Sequence, residues 1–251
     1  MTSELRIIGL SGLPDITPGV DLAEVIVEGA QVRGLDFTSG DIMVVTQKIV
    51  SKAEGRLVDL GSVTPSPFAA EIAGAHEKDP RVVEVILRES RRIVKMDQGI
   101  LIAETRHGFV CANAGVDESN LAEEGTVALL PLDADRSARR LRDDIRGRTG
   151  IDLAVIISDT FGRPWREGLV DVAIGVAGLE PLEDYRSRPD TEGRLMKATI
   201  LAVADELASA AELVMGKLDR VPAALIRGYD YTPGEGAATE LVRPPETDLF
   251  R

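Results

Sequence analysis

Four short polar segments carry the side chains best suited to chemistry, and three of them follow an apolar run. The richest reads Ser158-Asp159-Thr160-Phe161-Gly162-Arg163-Pro164-Trp165-Arg166. A carboxylate and a hydroxyl on adjacent residues at a strand terminus are hard oxygen donors, the type a hard divalent cation prefers. Arg163 and Arg166 add forked guanidinium groups able to clamp a phosphate or a carboxylate. Trp165, the only tryptophan, reads as a buried anchor. In Thr46–Gly55, Lys48 and Lys52 are four apart, so on a helix they share a face and could hold one polyanion. Only six lysines occur against 23 arginines, which makes that pair more informative. In Asn113–Asn120, small residues let backbone approach a ligand, while Asp117 and Asn120 offer oxygens and an amide to the same space. Gly12-Leu13-Pro14-Asp15-Ile16 reads first as a turn capped by Asp15. Solvated lysines and an Asx-turn loop are the ordinary readings of the middle two segments, and residues alone leave them open.

These groups need a scaffold. Leu5–Leu10 is a short apolar run, and Asp21 is placed to cap a helix from Leu22 to about Arg33. Ile42–Thr46 reads as a buried β-branched strand. Helices are expected over Pro67–Gly74, Val82–Val94, Ser137–Thr149 and Arg194–Met215. Strands are expected over Gly99–Ala103, Gly108–Ala112, Thr126–Leu130, Leu153–Ser158, Val170–Gly178 and Ala223–Arg227. Val242–Arg251 is a polar, proline-containing tail. Helices and strands alternate without strict βαβ order, and no repeat or compositional break divides residues 1–251, so the expectation is one mixed α/β (α+β) domain.

Composition narrows the chemistry. The 251 residues carry 42 acidic and 29 basic side chains, a net charge of −13, which disfavours nonspecific binding to nucleic acid or anionic membrane. A single cysteine, Cys111, rules out an internal disulfide and fits a reducing cytoplasm. Two histidines disfavour a His-rich zinc site, so a metal would be held by oxygen. No apolar stretch reaches membrane-spanning length, and no signal peptide pattern opens the chain. The P-loop, the Rossmann glycine fingerprint and the nucleophile elbow are all missing. The chemistry left is metal-assisted phosphate or phosphoryl chemistry.

Five ordered motifs resemble one family. They are Gly12-Leu-Pro-x-Ile, Val50-Ser-Lys52-Ala-Glu-Gly55, Asn113-Ala-Gly-x-Asp117-x-Ser-Asn120, Ser158-Asp-Thr160-x-Gly-Arg163, and Met215-Gly216…Pro222…Arg227-Gly228. In this order and spacing, from about Leu5 to Glu246, the chain resembles the coenzyme F420-0:L-glutamate ligases. The resemblance implies an F420 ligase-like fold of two subdomains, assembled as an intertwined homodimer. It implies transfer of the GTP γ-phosphate to the terminal carboxylate of coenzyme F420-0, then attack by the amine of L-glutamate. It assigns GTP contacts to Leu13, Pro14, Asp15, Ile16, Gln47, Lys48, Lys52 and Asn120, and a further nucleotide-contacting stretch to Met215 and Gly216. It assigns Mn2+ or Mg2+ to Asp117, Asp159 and Thr160, with K+ as an additional candidate cation. Lys48, Lys52 and Arg163 are the expected catalytic cations. Lys217 and Leu218 depart from the family's more glycine- and acid-rich pattern, so no metal ligand is expected there. In two-domain actinobacterial members a nitroreductase-like domain is appended, beginning about where residues 246–251 lie. A metal-dependent phosphohydrolase and a non-catalytic nucleotide-binding module are the alternatives.

Overall fold

The computed structural model describes residues 4–97, 99–119 and 124–248. β1 (Arg6–Gly9) leads through an irregular segment to α1 (Leu22–Val32). Asp21 caps α1 as expected, its Oδ1 accepting from the Glu24 N–H at 3.0 Å. β2 (Ile42–Thr46) has four consecutive buried residues and runs without a loop into α2 (Gln47–Ala53). After β3 (Leu57–Asp59), the prolines at the first turns of α3 (Pro67–His76) and α4 (Pro80–Glu89) set helix starts that Ser66 and Asp79 cap.

The helix expected over Val82–Val94 stops at Glu89, and β4 (Ser90–Asp97) comes next. The Ser90 hydroxyl donates back to the Ile86 carbonyl at 2.6 Å, and the β4 stretch containing β-branched Ile93 and Val94 then pairs with β5 (Ile100–Thr105). β6 (Val110–Ala112) completes this sheet, and β7 (Thr126–Ala128) pairs with β3. α5 (Ala134–Thr149) begins earlier than its apolar pattern indicates because Asp133 caps it.

β8 (Ala154–Arg163) and β9 (Arg166–Ala177) form a long hairpin, so Asp159 and Thr160 lie within a strand, not beyond its end. Trp165 sits at the hairpin turn with φ 57° and 81% exposure, which corrects its reading as a buried anchor. β10 (Glu183–Asp184) and β11 (Ile200–Leu201) pair, so the helix expected from Arg194 begins only at Val203 as α6 (Val203–Met215). Acidic Asp205 and Glu206 in that first turn suit the positive end of the helix dipole. β12 (Ala223–Arg227) is the last strand described.

The main sheet has the order β1-β12-β2-β8-β9, parallel only between β2 and β8. Its core includes residues of α1, α5 and α6. A second core gathers residues of α3, α4, β5 and β7, its buried side chains running from Leu60 to Leu129. This mixed α/β architecture with two cores agrees with the expected class. Phe109 belongs to the main core and meets Phe161 edge-on at 6.3 Å, which ties the 60–129 segment to the β8–β9 hairpin. No helix among the described residues is long and apolar enough to cross a membrane.

Candidate functional site

The one parallel pairing among the described residues builds the site. Thr46 and Ser158 are register partners at the end of β2, so the residues after them emerge side by side. From β2 the chain turns directly into α2, presenting Gln47, Lys48 and Lys52; from Ser158 it presents Asp159 and Thr160. This is the carboxyl edge of adjacent parallel strands, where open α/β sheets place ligands.

The third polar segment reaches the same edge. Asn113, Ala114 and Gly115 all have positive φ (52°, 53° and 72°), a tight turn made against the buried Leu130 side chain. Asp117 then pairs with Ala128 through two backbone hydrogen bonds of 3.0 and 2.8 Å. Its carboxylate takes an ion pair from Lys48 Nζ at 2.7 Å, while the same ammonium donates to the Ser119 carbonyl at 2.9 Å and hydroxyl at 2.8 Å. Asn120 lies outside the described residues.

Three carboxylates share this region and are treated differently. Burial works against ionising Asp117, but hydrogen bonds from Lys48 and Ser119 outweigh it and hold its pKa below the ordinary value. Asp171 of β9, 2% exposed, accepts from Thr160 Oγ1 at 2.7 Å, Ser158 Oγ at 3.0 Å and Lys217 Nζ at 3.1 Å. Asp159 makes no ion pair among the described residues. Burial first, and then the charges of Asp117 and Asp171, push its pKa up to about 7. Lys52 is driven the other way, below the ordinary lysine value, by burial and then by neighbouring Lys48. Asp15 and Arg220 also act on Lys52 electrostatically.

Gln47 is buried, its amide oxygen accepting from Ser51 Oγ at 2.8 Å. Met215 is buried at the end of α6, and Gly216 (φ 58°) turns the chain so that Lys217 returns to Thr160. Arg163 stands apart from this cluster. Its Nη2 donates to the Glu167 carbonyl at 3.1 Å, and its buried Nε has no partner among the described residues. Arg163 and Arg166 face each other across the hairpin turn. Asp171 is the residue that sequence reasoning missed; a lone carboxylate inside the apolar run Val170–Ile174 was the available signal.

No three acidic, histidine or cysteine side chains converge on a metal position among the described residues. The donors to hand are the Asp117 and Asp159 carboxylates and the Thr160 hydroxyl, all hard oxygen. A poorly solvated carboxylate beside two others, with no cation of its own, fits a divalent ion, because such an ion would remove the cost of ionising it.

A family model described as F420-0:Gamma-glutamyl ligase matches residues 12–228. A protein of Methanothermobacter thermautotrophicus named Coenzyme F420:L-glutamate ligase is 48% identical, covering 98% of this chain and 99% of its own length. One of the same name from Methanopyrus kandleri is 50% identical over 94% of this chain and 93% of its own. A third, from Methanocaldococcus jannaschii, is 43% identical over 99% and 97% respectively. With that match spanning both cores and the edge where Lys48, Asp117 and Asp159 meet, the chain belongs to the F420-0:gamma-glutamyl ligase family.

Proposed function

We propose that this chain is a GTP-dependent ligase that adds L-glutamate to coenzyme F420-0 in coenzyme F420 biosynthesis. The observation that carries the reading is buried Asp159, which makes no ion pair among the described residues and feels the charges of Asp117 and Asp171, at an edge that also presents Lys48 and Lys52. The names of the relatives support the substrates.

A carboxylate resists amine attack because oxide is a prohibitive leaving group. Phosphorylation solves this: a carboxylate oxygen of F420-0 bonds to the γ-phosphorus of GTP as the bond to GDP breaks. The glutamate amine then forms the C–N bond, loses a proton and expels phosphate. Donor and acceptor are both anions, so fixed positive charge must stand between them, an effect worth several kcal/mol. Lys48 and Lys52 supply it at the nucleotide end, with Leu13, Pro14, Asp15, Ile16, Gln47, Asn120, Met215 and Gly216 around the GTP. Arg163, further along β8, would take a carboxylate or phosphate of the second substrate. Asp117, Asp159 and Thr160 would hold Mn2+ or Mg2+, which when bound neutralises phosphate oxygens. K+ is a further candidate cation. The lowered pKa of Lys52 reflects a desolvated ammonium, which binds an anion more strongly than a hydrated one. The enzyme would act as a homodimer in the cytoplasm.

The test is mass spectrometry of the deazaflavin after incubation with GTP, Mn2+ and L-glutamate. Mass steps of one glutamyl unit are expected, and none without GTP. Phosphate release from GTP with neither acceptor nor glutamate would instead indicate a phosphohydrolase, and GTP binding without any product a binding module.

A further inference from the structure

The tip of the β8–β9 hairpin carries features that the fold does not require. Arg163 and Arg166 are register partners, and Pro164 and Trp165 alone make the turn between them. Proline first and a positive φ second is the type II pattern, whose second central position favours glycine or asparagine. Trp165 holds that position at φ 57°, a strained conformation for a bulky residue. It is 81% exposed, so burial offsets little of the strain. Leu169, 66% exposed, lies beside Gly162 one pair below the turn and extends the apolar surface.

The same tip concentrates positive charge on a chain whose total is −13. Like charges directly opposite one another in a sheet repel. Neither guanidinium makes an ion pair among the described residues. Arg163 Nη2 donates to the backbone carbonyl of Glu167 at 3.1 Å, and its Nε is buried without a partner there. The Glu167 carboxylate, the one acidic group between residues 163 and 168, is in ion pair with neither arginine among the described residues. A planar aromatic group with an anion attached would answer both features, its ring on the indole face and its anion on the guanidinium forks. F420-0 has that make-up, with a deazaflavin ring at one end, a terminal carboxylate at the other and a phosphodiester between. The hairpin follows the same order. Arg163 stands four strand residues beyond Asp159, about 13 Å at the usual strand rise, and Trp165 comes next after it at the turn.

We propose that the hairpin tip is the docking site for the deazaflavin end of F420-0: Trp165 stacks on the ring, and Arg166 with Arg163 takes the phosphodiester, so that the acceptor carboxylate is directed back along β8 towards Asp159. The identity of the ligand rests on the ligase reading. Trp165 touches no reacting atom and is a binding residue, not a catalytic one.

Equilibrium dialysis of F420-0, read by its own absorbance with GDP in place of GTP and without glutamate, tests this. It compares wild type, Trp165→Gly, Trp165→Phe and Arg166→Met. The deazaflavin chromophore lacking phosphodiester and carboxylate serves as a second ligand. Losing a stacked aromatic partner should weaken both ligands about tenfold or more in Trp165→Gly, with part of the affinity kept in Trp165→Phe. Arg166→Met should weaken F420-0 and not the bare chromophore. Glycine suits the turn, so Trp165→Gly should melt close to wild type. If it melts lower, Trp165→Asn, which also tolerates this φ, carries the same comparison. Unchanged F420-0 affinity in Trp165→Gly overturns the proposal. So does a loss that appears only with a change of oligomeric state in light scattering, which marks the tip as a contact between subunits. Glutamyl product from wild type with affinity indifferent to Trp165 overturns the docking site alone. Binding that depends on Trp165 without glutamyl product overturns the ligase reading alone, whereas wild type that binds no F420-0 overturns both.

Discussion

Asp159→Asn keeps the shape of the side chain and removes one negative charge from beside two others. In the metal-free protein Asp159 has its pKa raised from 3.8 to about 7, burial being the larger cause and Asp117 and Asp171 the smaller. Between about pH 4 and pH 7 the folded chain therefore keeps a proton that the unfolded chain has lost. Stability contributed by this carboxyl is present at low pH and falls as pH rises through that window. Full expression of the displacement corresponds to about 4 kcal/mol near pH 8, and side-chain relaxation reduces this to about 2–4 kcal/mol. For a chain of this length that is a rise of roughly 5–10 °C in melting temperature for the variant over wild type.

The assay is thermal unfolding of both proteins in excess chelator near pH 8 and near pH 5. The asparagine variant should be the more stable at the higher pH, with the gap shrinking by about half at the lower one. Added Mn2+ should raise the melting temperature of wild type and leave the variant nearly unmoved, and the variant should make no glutamyl product. A variant less stable than wild type in chelator near pH 8, or a gap indifferent to pH, would refute the account of Asp159 as a carboxylate kept for a cation. The stabilised variant would then be an instance of function retained at a cost in stability.

Structural contacts elsewhere set three other outcomes. Asp41 is 1% exposed and accepts from Arg227 at 2.6 and 2.7 Å, so Arg227→Met should cost about 2–4 kcal/mol by denaturant unfolding, with part recovered by adding Asp41→Asn. Gly175→Ala would drive a methyl to within 2.5 Å of the Ala134 backbone at the start of α5, and a loss of about 1–3 kcal/mol is expected in the same measurement. Burial pushes the Cys111 thiol up to about 12, so an aromatic disulfide reagent near pH 8 should label native protein at least about a hundredfold more slowly than unfolded protein.

Local features were the legible ones. Leu22–Val32 and Ile42–Thr46 announce themselves by apolar spacing and a cap or a β-branched run, and both fold as expected. The polar segments around Lys48, Asp117 and Asp159 do converge, because β2 and β8 are neighbours and parallel. The errors have a common source. Ile93 and Val94 continue a helical stripe, and Met196 and Ile200 prefix another, but in each case pairing with a second strand or loop wins over local periodicity. Asp171 and Lys217 were invisible as partners because the link between them is register. Thr160 faces Asp171 only after a shift in pairing between Ile157 and Ser158, and no local pattern encodes that.

Register also explains how a chain of net charge −13 can offer a site to anions. Three of its six lysines, Lys48, Lys52 and Lys217, are brought to one edge of one sheet, from α2 and from the turn after α6. Two of the three carboxylates there receive an ammonium each: Asp117 from Lys48 and Asp171 from Lys217. Asp159 lies between them in charge terms and receives none among the described residues. If all three were paired, a metal ion would have to displace a tethered lysine at every oxygen. If none were, mutual repulsion would disfavour folding at neutral pH. Pairing two and leaving one confines the unmet demand for positive charge to a single carboxylate, and that selects where an exogenous cation, with the phosphates it carries, can enter.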